Sequence, residues 1–384
     1  MNKKIINFNI ENIDGLGQGV YRGKPVTFID KTLPGEEGTA AVYREAKGVR
    51  FAAVESLTKE SPLRITPECP HFDRCTGCHY LHMEYPEEIN LKKSYLERLF
   101  GVFYEGVISV FTASKRFRYR NRIQLHYDLE AGSLGFISKL SISLINAEKC
   151  LLPEEAVTAK VKELYDAESW KSCIPEGSPV KGTIEVYQKY EDKSPAVSVN
   201  KPYASGGFLQ VNREMNSVLI DLVNKAYNNY VFRGNNPLVL DIYGGNGNLT
   251  RSFKNARVLI ADKVKMRMTQ TGENPSTAFY THDLIRKSSI NNLHSYTKRR
   301  YNSPADLLVF DPPRKGVKLF GDWAETFAPE NIFYVSCNPE TLKRDAQKIK
   351  DTYELKEISM IDLFPGTRHF ETFAVFKKRQ GEGN

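Results

Sequence analysis

The last third of the chain predicts an α/β layer built on a parallel sheet, preceded by an N-terminal β-barrel and a β-rich middle. Three observations carry this. The apolar runs PLVLDIY, VLIAD, TAFYTHD, DLLVFDPP and NIFYVSCN alternate with polar or helical stretches, as strands buried on both faces require. The final two runs, ELKEISMIDLF and ETFAVFKK, are joined only by PGTRHF, which suits an antiparallel hairpin at the sheet edge and not a crossover. Residues 1–60 read as short alternating strands punctuated by Gly15, Gly17, Gly19, Gly23, Gly35, Gly38 and Gly48, the texture of a small barrel.

At 384 residues the chain is long enough for two or three cores. The expected division is 1–60, 61–208 and 209–384. Within the middle, PEEINLKKSYLERLF from residue 86 places Ile89, Leu91, Leu96, Leu99 and Phe100 at helical spacing, so a helix is assigned over 86–106 with Pro86 in its first turn. No run of eighteen apolar residues occurs and MNKKIINFNIENIDG alternates instead of forming a signal stretch, so a cytoplasmic protein without a membrane span is expected, taken to be a monomer. The net charge of +8 permits a polyanionic partner without demanding one.

Asp241-Ile-Tyr-Gly-Gly-Asn-Gly-Asn248 follows the strand PLVL, at the carboxyl edge where open α/β sheets bind ligands. The glycines do not match G-x-G-x-x-G, and an ordinary strand-to-helix turn explains them equally well. Asp262, Asp283 and Asp311 end the next three strands. Each alone reads as a solvated strand-end carboxylate; together they form a ledge suited to ribose hydroxyls.

Cys337, in SCNPETLKRD, ends a strongly apolar strand just ahead of a helix, and a helix N-terminus lowers a thiol's pKa toward the reactive thiolate. A lone cysteine is usually core filler, but this one falls at the edge that carries the ledge. The preceding strand ends Asp311-Pro-Pro-Arg-Lys-Gly, similar to the loop of amino-methylating enzymes, with Arg314 where those have an aromatic residue.

In that order, Asp311-Pro-Pro-Arg, Ser336-Cys-Asn-Pro and His369-Phe-Glu371 resemble the RNA uracil-C5 methyltransferase family over nearly the whole chain. The resemblance implies a class I S-adenosylmethionine-dependent methyltransferase domain with a seven-stranded Rossmann-like sheet, and a TRAM-type, OB-like barrel at residues 1–60. It also implies that the helix near 86–100 packs on the catalytic domain. It makes Cys337 the nucleophile, Glu371 the base and Asp311 a residue of the reacting pocket. It assigns cofactor binding to Gln210 of FLQVN, Tyr243, Gly245, Asn248, Asp262, Asp283 and Asp311. Asp262 stands where the family often has Glu, and Gly244 where Cys is common. Uracil C5 is too poor a nucleophile to accept a methyl group until a thiolate adds at C6, which is why a cysteine and a base are both required. A stacked base is out of reach, so loop or single-stranded RNA is expected.

Cys69, Cys75, Cys78 and the distant Cys150 supply four thiolates, and four cysteines hold zinc or a [4Fe-4S] cluster. One C-x2-C pair with two isolated cysteines tilts toward iron-sulfur. CPHFDRCTGCHYL is similar to the family's cluster motif, with Thr76 for a glycine, and NAEKC contributes Cys150. A structural role is expected, since methyl transfer to uracil needs no electrons; Cys173 fits no pattern.

In KRFRYRNRIQ, Arg116, Arg118, Arg120 and Arg122 recur every second residue, so a strand here would aim all four at one face, suited to RNA phosphates. The family carries a YRNR-like segment at this point. Lys24, Phe28, Tyr43 and Arg44 are candidate RNA contacts on the barrel. The resemblance favours ribosomal RNA of the large subunit as substrate, with tRNA uridine 54 as the alternative. The rivals are a non-catalytic RNA-binding or assembly protein and a cytosine-C5 methyltransferase.

Overall fold

A computed structural model describes residues 4–138, 143–189, 192–201, 210–263 and 276–380. Phe208 and Leu209 of the FLQVN segment lie outside the described residues. By contact the chain divides into two units, one of Met1–Tyr95, Ser114–Ser205 and Phe364–Arg368, the other of Leu96–Ala113, Gly206–Leu363 and His369–Asn384.

In the first unit, β1 (Lys4–Asn9), β2 (Asn12–Ile13), β3 (Gln18–Tyr21), β4 (Thr27–Asp30), β5 (Glu37–Ala46) and β6 (Val49–Lys59) form one sheet in the order β1-β5-β6-β4-β3-β2. Register shifts along β5 and β6 bend this long hairpin around a core of Phe8, Ile10, Ile29, Ala40 and Ala52. Gly38 sits where a Cβ would meet the Ser56 carbonyl oxygen at 2.1 Å, so only glycine allows the two strands to approach at the bend. A second cluster of Ile13, Leu33, Tyr80 and Met83 continues this packing into the cysteine segment. Residues 1–60 therefore share a contact unit with the middle region.

Next in the chain come α1 (Tyr85–Phe100) and β7 (Ser109–Phe111). Glu87 and Glu88 lie in the first turn of α1 and Arg98 in its last, matching the helix dipole. The helix ends at Phe100, six residues short of the assigned 106; Gly101 donates its N–H to the Glu97 carbonyl and turns follow. Then β8 (Arg122–Asp128), β9 (Ser133–Ile137), β10 (Leu144–Ile145), α2 (Glu155–Tyr165), β11 (Lys181–Gln188) and β12 (Pro195–Val199) build a sheet in the order β10-β9-β8-β11-β12. Val157, Val161 and Leu164 of α2 pack with Trp170 on Leu125 and Ile184.

In the second unit, α3 (Arg213–Ala226) is capped by Asn212, whose side chain accepts from the Met215 N–H at 3.2 Å. There follow β13 (Leu238–Ile242), β14 (Arg257–Asp262), β15 (Thr277–Thr281), α4 (Lys287–Tyr301), β16 (Leu307–Phe310), α5 (Phe320–Phe327), β17 (Asn331–Ser336), α6 (Pro339–Ala346), β18 (Tyr353–Ile361) and β19 (Glu371–Lys378). The sheet order is β15-β14-β13-β16-β17-β19-β18-β7. β13 to β17 run parallel, and β19 is antiparallel to both β17 and β18. Every residue of β13, β16 and β17 is buried, which explains their unbroken apolar runs. Among the described residues the sheet has eight strands where the sequence suggested seven. The eighth, β7, is three residues long and too short to leave a periodic signature. Among the described residues no helix is long and apolar enough to cross a membrane.

The PGTRHF link closes the β18–β19 hairpin as expected, and its residues 365–368, with the preceding Phe364, belong to the first unit. There the buried Glu88 accepts from the Gly366 N–H at 2.8 Å, the Lys92 ammonium at 2.6 Å and the Arg116 guanidinium at 2.9 Å. Removing this carboxylate deprives the equally buried Lys92 and the neighbouring Arg116 of a close counter-charge that both share. Glu88→Ala should therefore destabilise the fold by about 3–5 kcal/mol, measured as a fall in the urea midpoint; a midpoint within error of the unsubstituted chain would contradict this reading.

Candidate active site

The turn after β13 is held by backbone constraints. Tyr243 has φ +65° and donates its N–H to the Ala261 carbonyl at 2.9 Å. A Cβ on Gly244 would lie 2.4 Å from the Asp241 carboxyl carbon, so the side chain must be absent for the chain to fold over Asp241. Asp241 is buried and accepts from the Thr250 hydroxyl at 2.6 Å, while its Oδ1 meets no hydrogen-bond partner among the described residues. Burial, with the charge of Asp262 added, pushes its carboxyl up to about 7. The sequence reading did not select Asp241. Its signal was an acidic residue inside the otherwise apolar run PLVLDIY, paired with a glycine three residues on.

Asp262 ends β14 and accepts from the Gly245 N–H at 3.0 Å, tying that strand end to the turn. The Tyr243 hydroxyl is raised to about 12 by burial and by the charges of Asp283 and Asp262, so these three side chains face a common region. Asp283 accepts from the Ile285 N–H at 3.2 Å. Asn248 exchanges amide hydrogen bonds with Asn216 of α3 at 3.1 and 2.9 Å. Gln210 is buried two residues ahead of the Asn212 cap.

Asp311 follows β16 and Cys337 follows β17, while β19 enters the same edge from the opposite direction. The antiparallel register pairs Ser336 with Thr372, which brings Cys337 and Glu371 together although 34 positions separate them in sequence. Glu371 is 4% exposed and its Oε2 meets no hydrogen-bond partner among the described residues. Burial holds its carboxyl well above the usual carboxylate range, helped by Asp311 and opposed by Arg314. Burial, with the charges of Asp241 and Asp262 added, pushes half-buried Asp311 up to about 7.

The Cys337 thiol is pushed up to about 12 by burial first, then by Glu371, with Arg314 opposing. This corrects the expected lowering. Cys337 does precede a helix, α6, whose cap is the Asn338 side chain accepting from the Glu340 N–H at 3.2 Å. The dipole of an eight-residue helix is outweighed by desolvation and two neighbouring carboxyls. The arrangement places a nucleophilic atom and a proton-holding carboxyl side by side in a water-poor site, the requirement for covalent catalysis with general acid–base assistance.

In the first unit, Cys69, Cys75, Cys78 and Cys150 line one cavity of 310 Å³ with Arg120, His71 and apolar walls that include Phe136 and Leu152. Burial pushes the Cys69, Cys78 and Cys150 thiols up, Cys150 to about 11. The Lys31 ammonium donates to the Phe72 carbonyl and, at 2.9 Å, to the Cys75 carbonyl, which fixes the loop between these cysteines. Among the described residues no three His, Cys, Asp or Glu side chains are gathered closely enough to hold a metal ion. Cys173 lies apart, its thiol against the Ser169 carbonyl.

The four arginines do not share a strand face, because β8 starts only at Arg122. Arg118 has φ +54°, which breaks the alternation, and the N–H groups of Arg118, Tyr119 and Arg120 donate to Leu151 and Leu152 beside Cys150. Arg116 spends its guanidinium on Glu88 and on the Tyr80 and Met83 carbonyls, Arg122 faces Glu185 at 3.8 Å, and Arg120 lines the cysteine cavity. Arg118 alone of the four is exposed. On the barrel, Tyr43 donates to Asp30 at 2.9 Å and Arg44 lies over the Phe51 ring, which stacks on Phe28; Lys24 is exposed.

A family model described as tRNA (Uracil-5-)-methyltransferase matches residues 183–379. A 23S rRNA (uracil(1939)-C(5))-methyltransferase from Vibrio parahaemolyticus is 25% identical across 96% of this chain and 95% of its own length. One from Nitrosospira multiformis is 27% identical, covering 96% and 98%. The crystal structure of Pyrococcus abyssi tRNA (uracil-54, C5)-methyltransferase in complex with S-adenosyl-L-homocysteine shares the fold, with TM-score 0.66 and 20% identity over 96% of this chain and 99% of that one.

The raised thiol has a direct readout. In the ligand-free protein, iodoacetamide should modify Cys337 at least about tenfold more slowly at pH 8 than it modifies a cysteine peptide, with a rate still climbing past about pH 10. Peptide mapping by mass spectrometry isolates this cysteine from the other five, and a rate that levels off below about pH 8.5 would overturn the geometry described.

Proposed function

The chain belongs to the tRNA (uracil-5-)-methyltransferase family, and from that premise we propose that it methylates carbon 5 of a uridine in 23S ribosomal RNA, with Cys337 as covalent nucleophile and Glu371 as base. The observation that carries this reading is the strand register that sets Cys337 beside the buried Glu371, with Asp311 at the same edge.

As the Cys337 sulfur bonds to C6 of the flipped uracil, its proton passes through the adjoining carboxylates to solvent, which leaves Glu371 ionised for the later step. The C5–C6 electrons move to the O4 carbonyl as an enolate. S-adenosylmethionine supplies the methyl group at this point and leaves as S-adenosylhomocysteine. Glu371 then removes the C5 proton, the ring electrons return to C5–C6, and the Cys337–C6 bond breaks to release thiolate. A carboxyl raised into the neutral range is suited to holding and then passing protons at physiological pH. Tyr243, Gly245, Asn248, Asp262, Asp283, Asp311 and Gln210 hold the methyl donor. The clustering of Asp241, Asp262, Asp283 and Tyr243 around one turn supports this assignment and adds Asp241 behind the turn.

Ribosomal RNA is preferred over tRNA because the relatives that align over nearly the full chain act on 23S rRNA. Residues 1–60 serve as a TRAM-like RNA-binding module of a cytoplasmic monomer, and Arg118 is the member of the arginine run retained as an RNA contact. Cys69, Cys75, Cys78 and Cys150 hold a [4Fe-4S] cluster with a structural role. Four soft thiolate ligands lining a shared 310 Å³ space support this reading. When bound, the cluster would link the Cys69–Cys78 loop to Cys150 in place of a larger core.

Two experiments test these readings. Incubation with 23S rRNA and labelled methyl donor should yield 5-methyluridine. Cys337→Ala should abolish transfer, and Glu371→Gln should accumulate a denaturant-resistant protein–RNA adduct. The appearance of 5-methylcytidine, or unchanged transfer in Cys337→Ala, would refute the assignment. For the metal site, protein purified without oxygen should contain about four irons and four sulfides per chain; one zinc and no iron would replace the cluster reading.

A further inference from the structure

Helix α4 and the edge strand β15 carry a surface that the methyl-transfer site does not use. From Arg286 to Tyr301 the chain reads RKSSINNLHSYTKRRY, with five cations (Arg286, Lys287, Lys298, Arg299, Arg300) and no carboxylate. These 16 residues thus contribute +5 to a chain whose net charge is +8 over 384 residues. Ile290 and Leu293 are buried, while all five cations are exposed. Lys287 is neutralised by Asp322 at 2.8 Å, whereas among the described residues Lys298, Arg299 and Arg300 meet no carboxylate.

Aromatic rings run through this charge. His282 lies edge-on to Tyr280 at 5.9 Å, and Tyr280 lies 5.0 Å from Tyr296 of α4. Tyr301 carries two guanidinium groups, Arg257 at 5.8 Å and Arg300 at 5.5 Å. β15 is the terminal strand of its sheet, so among the described residues no further strand pairs alongside it. A helix exposed only to solvent gains from mixed charge signs along its face, and three adjacent unpaired cations repel one another unless an anion lies over them. Charge without carboxylates, interleaved with accessible rings, is complementary to a nucleic-acid strand, whose phosphates take the cations and whose bases stack on the rings.

We propose that the α4–β15 surface is a second RNA contact, gripping the phosphate backbone of the substrate away from the target uridine without reading its sequence. This rests on the RNA methyltransferase reading above and adds a determinant of substrate size: RNA long enough to reach the strip binds more tightly than a minimal stem-loop.

The test compares the full chain with Lys298→Ala/Arg299→Ala/Arg300→Ala, and with the charge-keeping Lys298→Arg/Arg299→Lys/Arg300→Lys. On a long rRNA fragment the alanine triple should raise KM about tenfold or more with kcat unchanged, and flatten the log KM against log salt slope by about two to three. The charge-keeping triple should match the parent chain, as should the alanine triple on a minimal stem-loop. Tyr296→Ala should weaken binding of an unpaired RNA strand in a filter assay. Equal KM and equal salt slope for the alanine triple and the parent would overturn the proposal, as would an equal loss on both RNA lengths. If the parent chain methylates no RNA, the enzyme reading fails separately, and RNA affinity of the parent against the alanine triple still decides the surface.

Discussion

The site depends on the antiparallel insertion of β19 between β17 and β18. A sheet of parallel strands delivers only their carboxyl ends to one edge, and here those ends bring Asp262, Asp311 and Cys337. β19 runs the other way, so its first residue, Glu371, arrives at the edge where its neighbours finish. Backbone hydrogen bonds fix this register, and a slip of one residue would turn Glu371 to the other face of the sheet. The placement of the Cys337 thiol beside the Glu371 carboxyl is therefore written in main-chain geometry.

That placement carries an electrostatic cost. Asp241, Asp311 and Glu371 are crowded into a poorly hydrated region, and all three carboxyls bind their protons more tightly than in the unfolded chain. The stability contributed by such raised groups is fully present below their unfolded value of about 4 and is lost as pH rises through about 7 for Asp241 and Asp311. The catalytic edge thus weakens the fold at neutral pH. The fully buried strands β13, β16 and β17 beneath it offset that loss. Arg314, which opposes the rise of both Cys337 and Glu371, is the nearby cation that tempers the site.

Away from that edge, the arginine run illustrates the limit of periodicity. Alternation at every second residue specifies a face only if the backbone is extended throughout, and the positive φ of Arg118 breaks that condition. The segment instead bonds along the loop that carries Cys150, and its cations are drawn to Glu88, Glu185 and the cysteine cavity. Among the described residues, a run of cations that meets no carboxylate lies on α4, where the lack of acidic residues was visible in the sequence. Its conjunction with Tyr280 and His282 was not, because those rings come from a neighbouring strand.

Through the family resemblance of its motifs the sequence singled out the ordered set Asp311, Cys337 and Glu371, and by itself it determined the elements with strong local signatures: the unbroken apolar runs that became β13, β16 and β17, the hairpin closed by PGTRHF, and the helix opening near Pro86. These follow from hydrophobic periodicity, turn chemistry and residue type, which are properties of neighbours in the chain. Tertiary structure decided what neighbours in space impose. It added β7 as an eighth strand, joined residues 1–60 to the middle region through Ile13, Leu33, Tyr80 and Met83, and exposed Asp241 as part of the turn. It also reversed the expected shift of the Cys337 thiol, because desolvation and the charge of a residue 34 positions away outweigh a local helix dipole. Burial and through-space charge depend on how strands from distant parts of the chain are stacked, and no local pattern encodes that.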